Sequence, residues 1–113
     1  MRPPEVVDTN VASYVLSKKP EAKLYEEDLA DRVLFLSFQT IAEMLEGAEK
    51  KKWGKPKRAG LAAFLASHKA IFPSDTTLAL WARMRADMQE AGHGLSHPDS
   101  WVAACALSMG MRS

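Results

Sequence analysis

Cysteine is nearly absent from this chain: Cys105 is the single one among 113 residues. A lone cysteine excludes an internal disulfide and fits a reducing cytosol. Long apolar runs are missing as well, so no segment reaches membrane-spanning length. Residues 1–5 lack the basic-then-apolar layout of a secretory signal. These absences predict a soluble, cytoplasmic protein with no membrane contact. Net charge is almost nil, since 15 Lys and Arg against 14 Asp and Glu leave +1, and it names no partner. Internal repeats and low-complexity tracts are lacking. So is a G-x-x-x-x-G-K loop, which argues against a nucleoside-triphosphate enzyme. His93 and His97 have no Cys or His at zinc spacing and read as loop residues.

What is present is a globular composition, 47% apolar, in a chain long enough for one core and not two. Residues 1–113 therefore read as a single domain. The charges are segregated. Glu21, Glu26, Glu27, Asp28 and Asp31 form an acidic segment, and Lys50, Lys51, Lys52, Lys55, Lys57 and Arg58 form a basic one around Trp53. Such runs are ordinarily solvated faces.

After an irregular lead-in at Pro3 and Pro4, Glu5 to Asp8 reads as a first strand and Asn10 to Leu16 as a helix. Pro20 suits the first turn of a second helix, Glu21 to Ala30, with Leu24 and Leu29 available for a core. Val33 to Leu36 is an apolar run without alternation, as expected of a strand covered on both faces. Phe38 to Lys52 follows as a helix with Ile41, Leu45 and Ala48 on one stripe. Gly54 and Pro56 interrupt it before a helix at Lys57 to His68 that buries Leu61, Phe64 and Leu65. Ala70 to Phe72 is a third strand, closed by Pro73. Asp75 or Thr76 caps a helix at Thr77 to Ala91, with Leu78, Trp81, Ala82 and Met88 inward, and Gly92 stops it. Ser96 to Asp99 opens the last helix in capping-box style. Trp101, Val102, Cys105, Ala106 and Met109 make that helix apolar around most of its girth. Strand, helices, strand, helices, strand, helices is an α/β order with a parallel sheet.

Three acids draw attention. Asp8 ends the first strand, Glu43 lies in the first turns of the helix after the second, and Asp99 opens the last helix. Helices that follow parallel strands begin at the carboxyl edge of the sheet, where ligands bind in open α/β folds. Gathered carboxylates repel unless a cation or proton intervenes, and hard oxygen donors suit Mg²⁺ or Mn²⁺. Each acid also has a plain reading. Asp8 or Thr9 is a good helix cap, Asp99 is favoured by the helix dipole, and Glu43 can face solvent. Cys105 lacks an adjacent base and reads as a buried thiol.

The segments VVDTNVASYVL, TIAEMLEGA and ALWARMRADMQEAGHGLSHPDSWVAACAL together resemble the PIN-domain ribonucleases, specifically the VapC-like toxins of bacterial toxin–antitoxin pairs. The resemblance runs from Val6 to Gly110. It implies a PIN-like three-layer α/β/α fold with a central parallel sheet. It implies that Asp8, Glu43 and Asp99 are the catalytic, metal-binding acids for Mg²⁺ or Mn²⁺, with Thr9 or Asn10 orienting Asp8 or a water. RNA cleavage, a small antitoxin partner and a homodimer are implied with them.

The sequence departs from the family in one respect, because it ends before the usual fourth strand and its polar ligand. That departure predicts an uncovered edge at the first strand, a partly exposed last helix, weaker metal binding and self-association. A competing class of function is a PIN-like module that binds antitoxin or RNA without cutting; an unrelated small-molecule domain is the third. Lys51, Lys52, Lys55 and Arg85 are candidate RNA contacts, with Trp53 either stacking on an unpaired base or anchoring the helix hairpin.

Overall fold

The computed structural model describes residues 2–92 and 94–111, without the side chain of Leu24, so the readings for Leu24 and His93 lie outside the described residues. Three parallel strands, β1 (Glu5–Val6), β2 (Leu34–Ser37) and β3 (Lys69–Ile71), form a sheet in the order β1-β2-β3. The helices are α1 (Thr9–Leu16), α2 (Lys23–Leu29), α3 (Phe38–Lys50), α4 (Lys55–Ala66), α5 (Asp75–Ala91) and α6 (His97–Ser108).

Adjacent strand residues face opposite ways, and each face has its own cover. Val7 and Leu36 join Val11, Ala12, Met44, Ala48 and Leu61, which lie on or beside α1, α3 and α4. On the other face Val6 and Ile71 join Val102, Cys105 and Ala106 of α6, with Phe35 and Phe38 against them. Helices thus cover both sides, which is why the strands lack alternation. This is the expected α/β/α layering. Helix α5 packs outside, against α6.

Several boundaries differ from the sequence reading, each for a local reason. The first strand stops at Val6. Val7 N still donates to Phe35 O at 2.9 Å, but Asp8 leaves the sheet to cap α1. The second helix begins as a 3-10 turn, Pro20–Ala22, before α2. Strands β2 and β3 are each displaced by one residue, β2 toward Ser37 and β3 toward Lys69. Phe72, expected in a strand, is 70% exposed. Helices α3 and α4 are shorter or earlier than expected, because Lys52 turns the chain at a φ of 53° and Gly54 caps α4.

The buried stripe of α3 is Thr40, Met44 and Ala48, and Leu45 is 49% exposed. A threonine in the stripe is invisible to a count of apolar spacing. Ser74, and neither Asp75 nor Thr76, caps α5 in a capping box with Thr77, which buries Thr77 and turns Leu78 outward. Ser96 caps α6 by accepting from Asp99 N at 3.2 Å. Val102, Cys105 and Ala106 are buried as expected, whereas Met109 and Leu107 are exposed. Burial raises the Cys105 thiol pKa above its ordinary value. No helix among the described residues is long and apolar enough to cross a membrane.

Candidate active site

The site begins where β1 gives way to α1. Asp8 adopts extended backbone geometry and its Oδ1 accepts from Val11 N at 2.9 Å. The capping role is therefore real. It leaves the rest of an exposed carboxylate facing solvent at the carboxyl edge of the sheet. Thr9, the next residue, crosses to α3: its Oγ1 donates to Glu43 Oε1 at 3.1 Å and lies 3.0 Å from Thr40 Oγ1. Asn10 is exposed on the first turn of α1 and has no side-chain hydrogen bond among the described residues.

Behind Glu43 stands a chain of hydroxyls. Ser37 ends β2 and caps α3, taking Thr40 N at 3.2 Å and donating its own proton to Thr40 Oγ1 at 3.3 Å. With the Thr9 proton committed to Glu43, Thr40 donates to Thr9. The protons then run one way, from Ser37 through Thr40 and Thr9 to the Glu43 carboxylate. Ser37 and Thr40 are fully buried, and each hydroxyl satisfies the next away from bulk solvent. The sequence reading missed both. Their signal was there: Ser37, Thr40 and Glu43 are spaced by three, which places them on one side of a helix start.

Asp99 arrives from the other face of the sheet. It sits exposed in the first turn of α6, and Trp101, two residues on, lies edge-on to Phe38 at 5.2 Å. Phe38 is the first residue of α3, directly after β2. That contact packs the first turns of α6 against the start of α3. Arg85 holds them there, since Nη1 donates to Leu95 O at 2.6 Å and to Ser100 Oγ at 3.1 Å. Arg85 is thus tied to the α5–α6 connection.

Among the described residues no three Asp, Glu, His or Cys side chains stand close enough together to hold a metal ion. The donor set still fits a hard cation. All donors are oxygens, two of the acids are exposed, and Mg²⁺ is commonly held by one or two carboxylates with water and substrate phosphate completing its shell.

The basic segment forms the turn between α3 and α4. Trp53 packs against the Val7–Leu36 core and its carbonyl accepts from Arg58 Nε at 2.7 Å. Lys51 and Lys57 lie over its ring at 6.0 and 5.5 Å. That is an anchored hairpin residue. Lys51, Lys52 and Lys55 are exposed, and a cleft of about 100 Å³ joins Lys51 and Trp53 to Glu43.

The sequence profile of the PIN domain matches residues 6–112 of this chain. Solved structures share its fold at low identity. VapBC2 of Rickettsia felis bound to a DNA fragment from its promoter superposes with a TM-score of 0.81 at 21% identity, covering 97% of this chain and 84% of that one. DNA-bound VapBC of Salmonella typhimurium gives 0.82 at 20% identity, covering 97% and 83%. A toxin–antitoxin complex from Klebsiella pneumoniae gives 0.72 at 23%, covering 95% and 81%. No curated protein matches the chain significantly.

Proposed function

The chain belongs to the PIN-domain family, and from that membership we propose that it is a divalent-metal-dependent endoribonuclease of the toxin class, neutralised by a protein antitoxin. The observation that supports the reading is the Thr9–Glu43 hydrogen bond, which ties the helix capped by Asp8 to the helix that carries Glu43. Asp8 and Asp99 are the exposed acids that would hold Mg²⁺ or Mn²⁺, with Glu43 completing the shell or orienting water. A divalent ion in that position neutralises charge on a scissile phosphate and acidifies a water. The chain's own part is positioning. Thr9, Thr40 and Ser37 fix Glu43 in one orientation, and Arg85 fixes the helix start that presents Asp99.

The antitoxin partner rests on the company this fold keeps, since structural neighbours are toxin–antitoxin assemblies. Lys51, which lines the cleft between Glu43 and Trp53, and the exposed Lys52 and Lys55 beside it in sequence are proposed to contact the RNA backbone.

The test is RNA cleavage with added Mg²⁺ or Mn²⁺ by the wild-type chain and by Asp8→Asn, Glu43→Gln and Asp99→Asn. Loss of cutting in each variant with the fold retained supports the assignment; unchanged cutting in Asp8→Asn and Asp99→Asn overturns it. The separation of the three acids favours a second reading, a module that binds RNA or antitoxin without cutting. Calorimetric titration with Mn²⁺ separates the two, because that module has no need to take up metal.

A further inference from the structure

Beside the start of α6 is a cavity of about 790 Å³ between the second half of α5 and the connection to α6. Its volume falls in the range of small-ligand sites. Trp81, Met88 and Leu95 provide apolar wall, and Arg85, Gln89 and His97 provide polar groups. Trp81 is stacked on Trp101 at 4.5 Å with the rings 9° from parallel, and His97 meets it edge-on at 5.6 Å. Trp101 continues the aromatic series to Phe38 at the sheet edge.

The Gln89 amide and the His97 ring nitrogens are exposed at this cavity and make no hydrogen bond among the described residues. Trp81 contributes its ring to the wall, and its Nε1 is buried without an acceptor among the described residues, an uncommon state for a native indole. Gln89 and Trp81 lie on α5, and His97 opens α6. Asp99 follows two residues later in the same turn. His97 thus links the cavity wall to the turn that carries Asp99.

Taking the nuclease reading as its premise, we propose that this cavity receives one unpaired base of a single-stranded RNA substrate, next to the bond that is cut. Unstacked RNA bases are recognised by aromatic surfaces and by hydrogen bonds to their edges. A glutamine amide offers one donor and one acceptor in the pairing geometry that base edges present. Gln89 reads the base edge, and His97 and Trp81 supply the aromatic wall. Arg85 shapes the floor through its bonds to Leu95 and Ser100 and is a positioning residue. Such a pocket selects which base precedes or follows the cleaved bond; it takes no part in the chemistry.

The experiment has two readouts on the full chain. In the first, the four nucleoside 5′-monophosphates are titrated separately while the indole N–H resonances are followed, with Trp81 assigned through Trp81→Phe. One nucleotide should shift the Trp81 signal more strongly than the other three, and Gln89→Ala should weaken that binding about tenfold, near the lower end of a bidentate base contact. In the second, cleavage sites are mapped on an RNA containing every dinucleotide. Gln89→Ala and His97→Ala should lose sequence preference, and Gln89→Glu should favour a different base. No shift at Trp81 with any nucleotide, or an unchanged cleavage pattern in all three variants, overturns the cavity assignment even if the Asp8 and Asp99 variants are inactive. Nucleotide binding at Trp81 in a chain that cuts no RNA overturns the nuclease reading instead, and leaves the cavity a nucleotide site.

Discussion

Thr9 Oγ1 donates to Glu43 Oε1 at 3.1 Å across 34 residues of sequence. That bond ties the helix after the first strand to the helix after the second, at the edge where Asp8 also ends. Thr9→Val keeps the shape and removes the donor. It should cost about 1 kcal/mol of stability, the usual net value of one hydrogen bond, and should lower RNA cleavage more than the stability loss explains. Urea denaturation and a single-turnover cleavage assay on the same preparation check both.

Thr40 lies deeper in the same chain, fully buried between Ser37 and Thr9. Thr40→Val leaves the buried Ser37 hydroxyl without its acceptor and takes one hydrogen bond from Thr9, so it should cost more than Thr9→Val, about 1–3 kcal/mol for a buried group left unsatisfied. Equal losses for the two variants would show that the hydroxyls do not act as a chain.

Asp8 has two separable roles. Asp8→Ala removes the cap on Val11 N and should destabilise the fold by about 1 kcal/mol, whereas Asp8→Asn retains a capping oxygen and should cost little. Both should lose metal-dependent cleavage. Thermal melts of the two variants separate the structural role from the chemical one.

Arg85 and the lysines should part company under salt. Arg85→Ala should lower stability by about 2 kcal/mol, because a charged donor to Leu95 O and Ser100 Oγ is lost. It should leave the salt dependence of RNA binding unchanged. Replacing Lys51, Lys52 and Lys55 by Gln should do the reverse, flattening the log–log salt slope by up to about 2, at about 0.7 per phosphate contact on a single strand. An unchanged slope in the triple variant would remove these lysines from the RNA path.

Cys105 gives a pH signature. Burial raises the folded thiol's pKa above the ordinary 9.0, so the folded state keeps a proton that the unfolded chain releases. The stability contributed by the protonated thiol is therefore fully present below pH 9.0 and declines as pH rises from there toward the folded value. Wild type should lose stability across that window faster than Cys105→Ala, by urea midpoints at pH 8 and pH 10.

The order of strands and helices was legible in the sequence because local patterns encode it. An unalternating apolar run at Val33 to Leu36, Pro56 near a helix start and Gly92 beyond a helix end each follow from the chemistry of a few neighbouring residues. Asp8 and Asp99 stood out for the same reason, since each lies at the start of a helix, whereas Glu43 lies in the second turn of α3. Register within α3 was not. The buried stripe includes Thr40, whose place depends on Ser37 and Thr9, and the latter is 31 residues away. Periodicity favoured Leu45 because apolar spacing cannot recognise a hydroxyl that is buried with its partner. Arg85 shows the same limit. As a sequence it is one more exposed cation on a helix, and only the return of α6 against α5 brings Leu95 O and Ser100 Oγ to it. Cys105 and the aromatic series Phe38–Trp101–Trp81 took their surroundings from that same packing. Local propensity set where each element starts and stops; contacts between residues distant in sequence decided which polar groups were buried, satisfied and aimed at the shared edge.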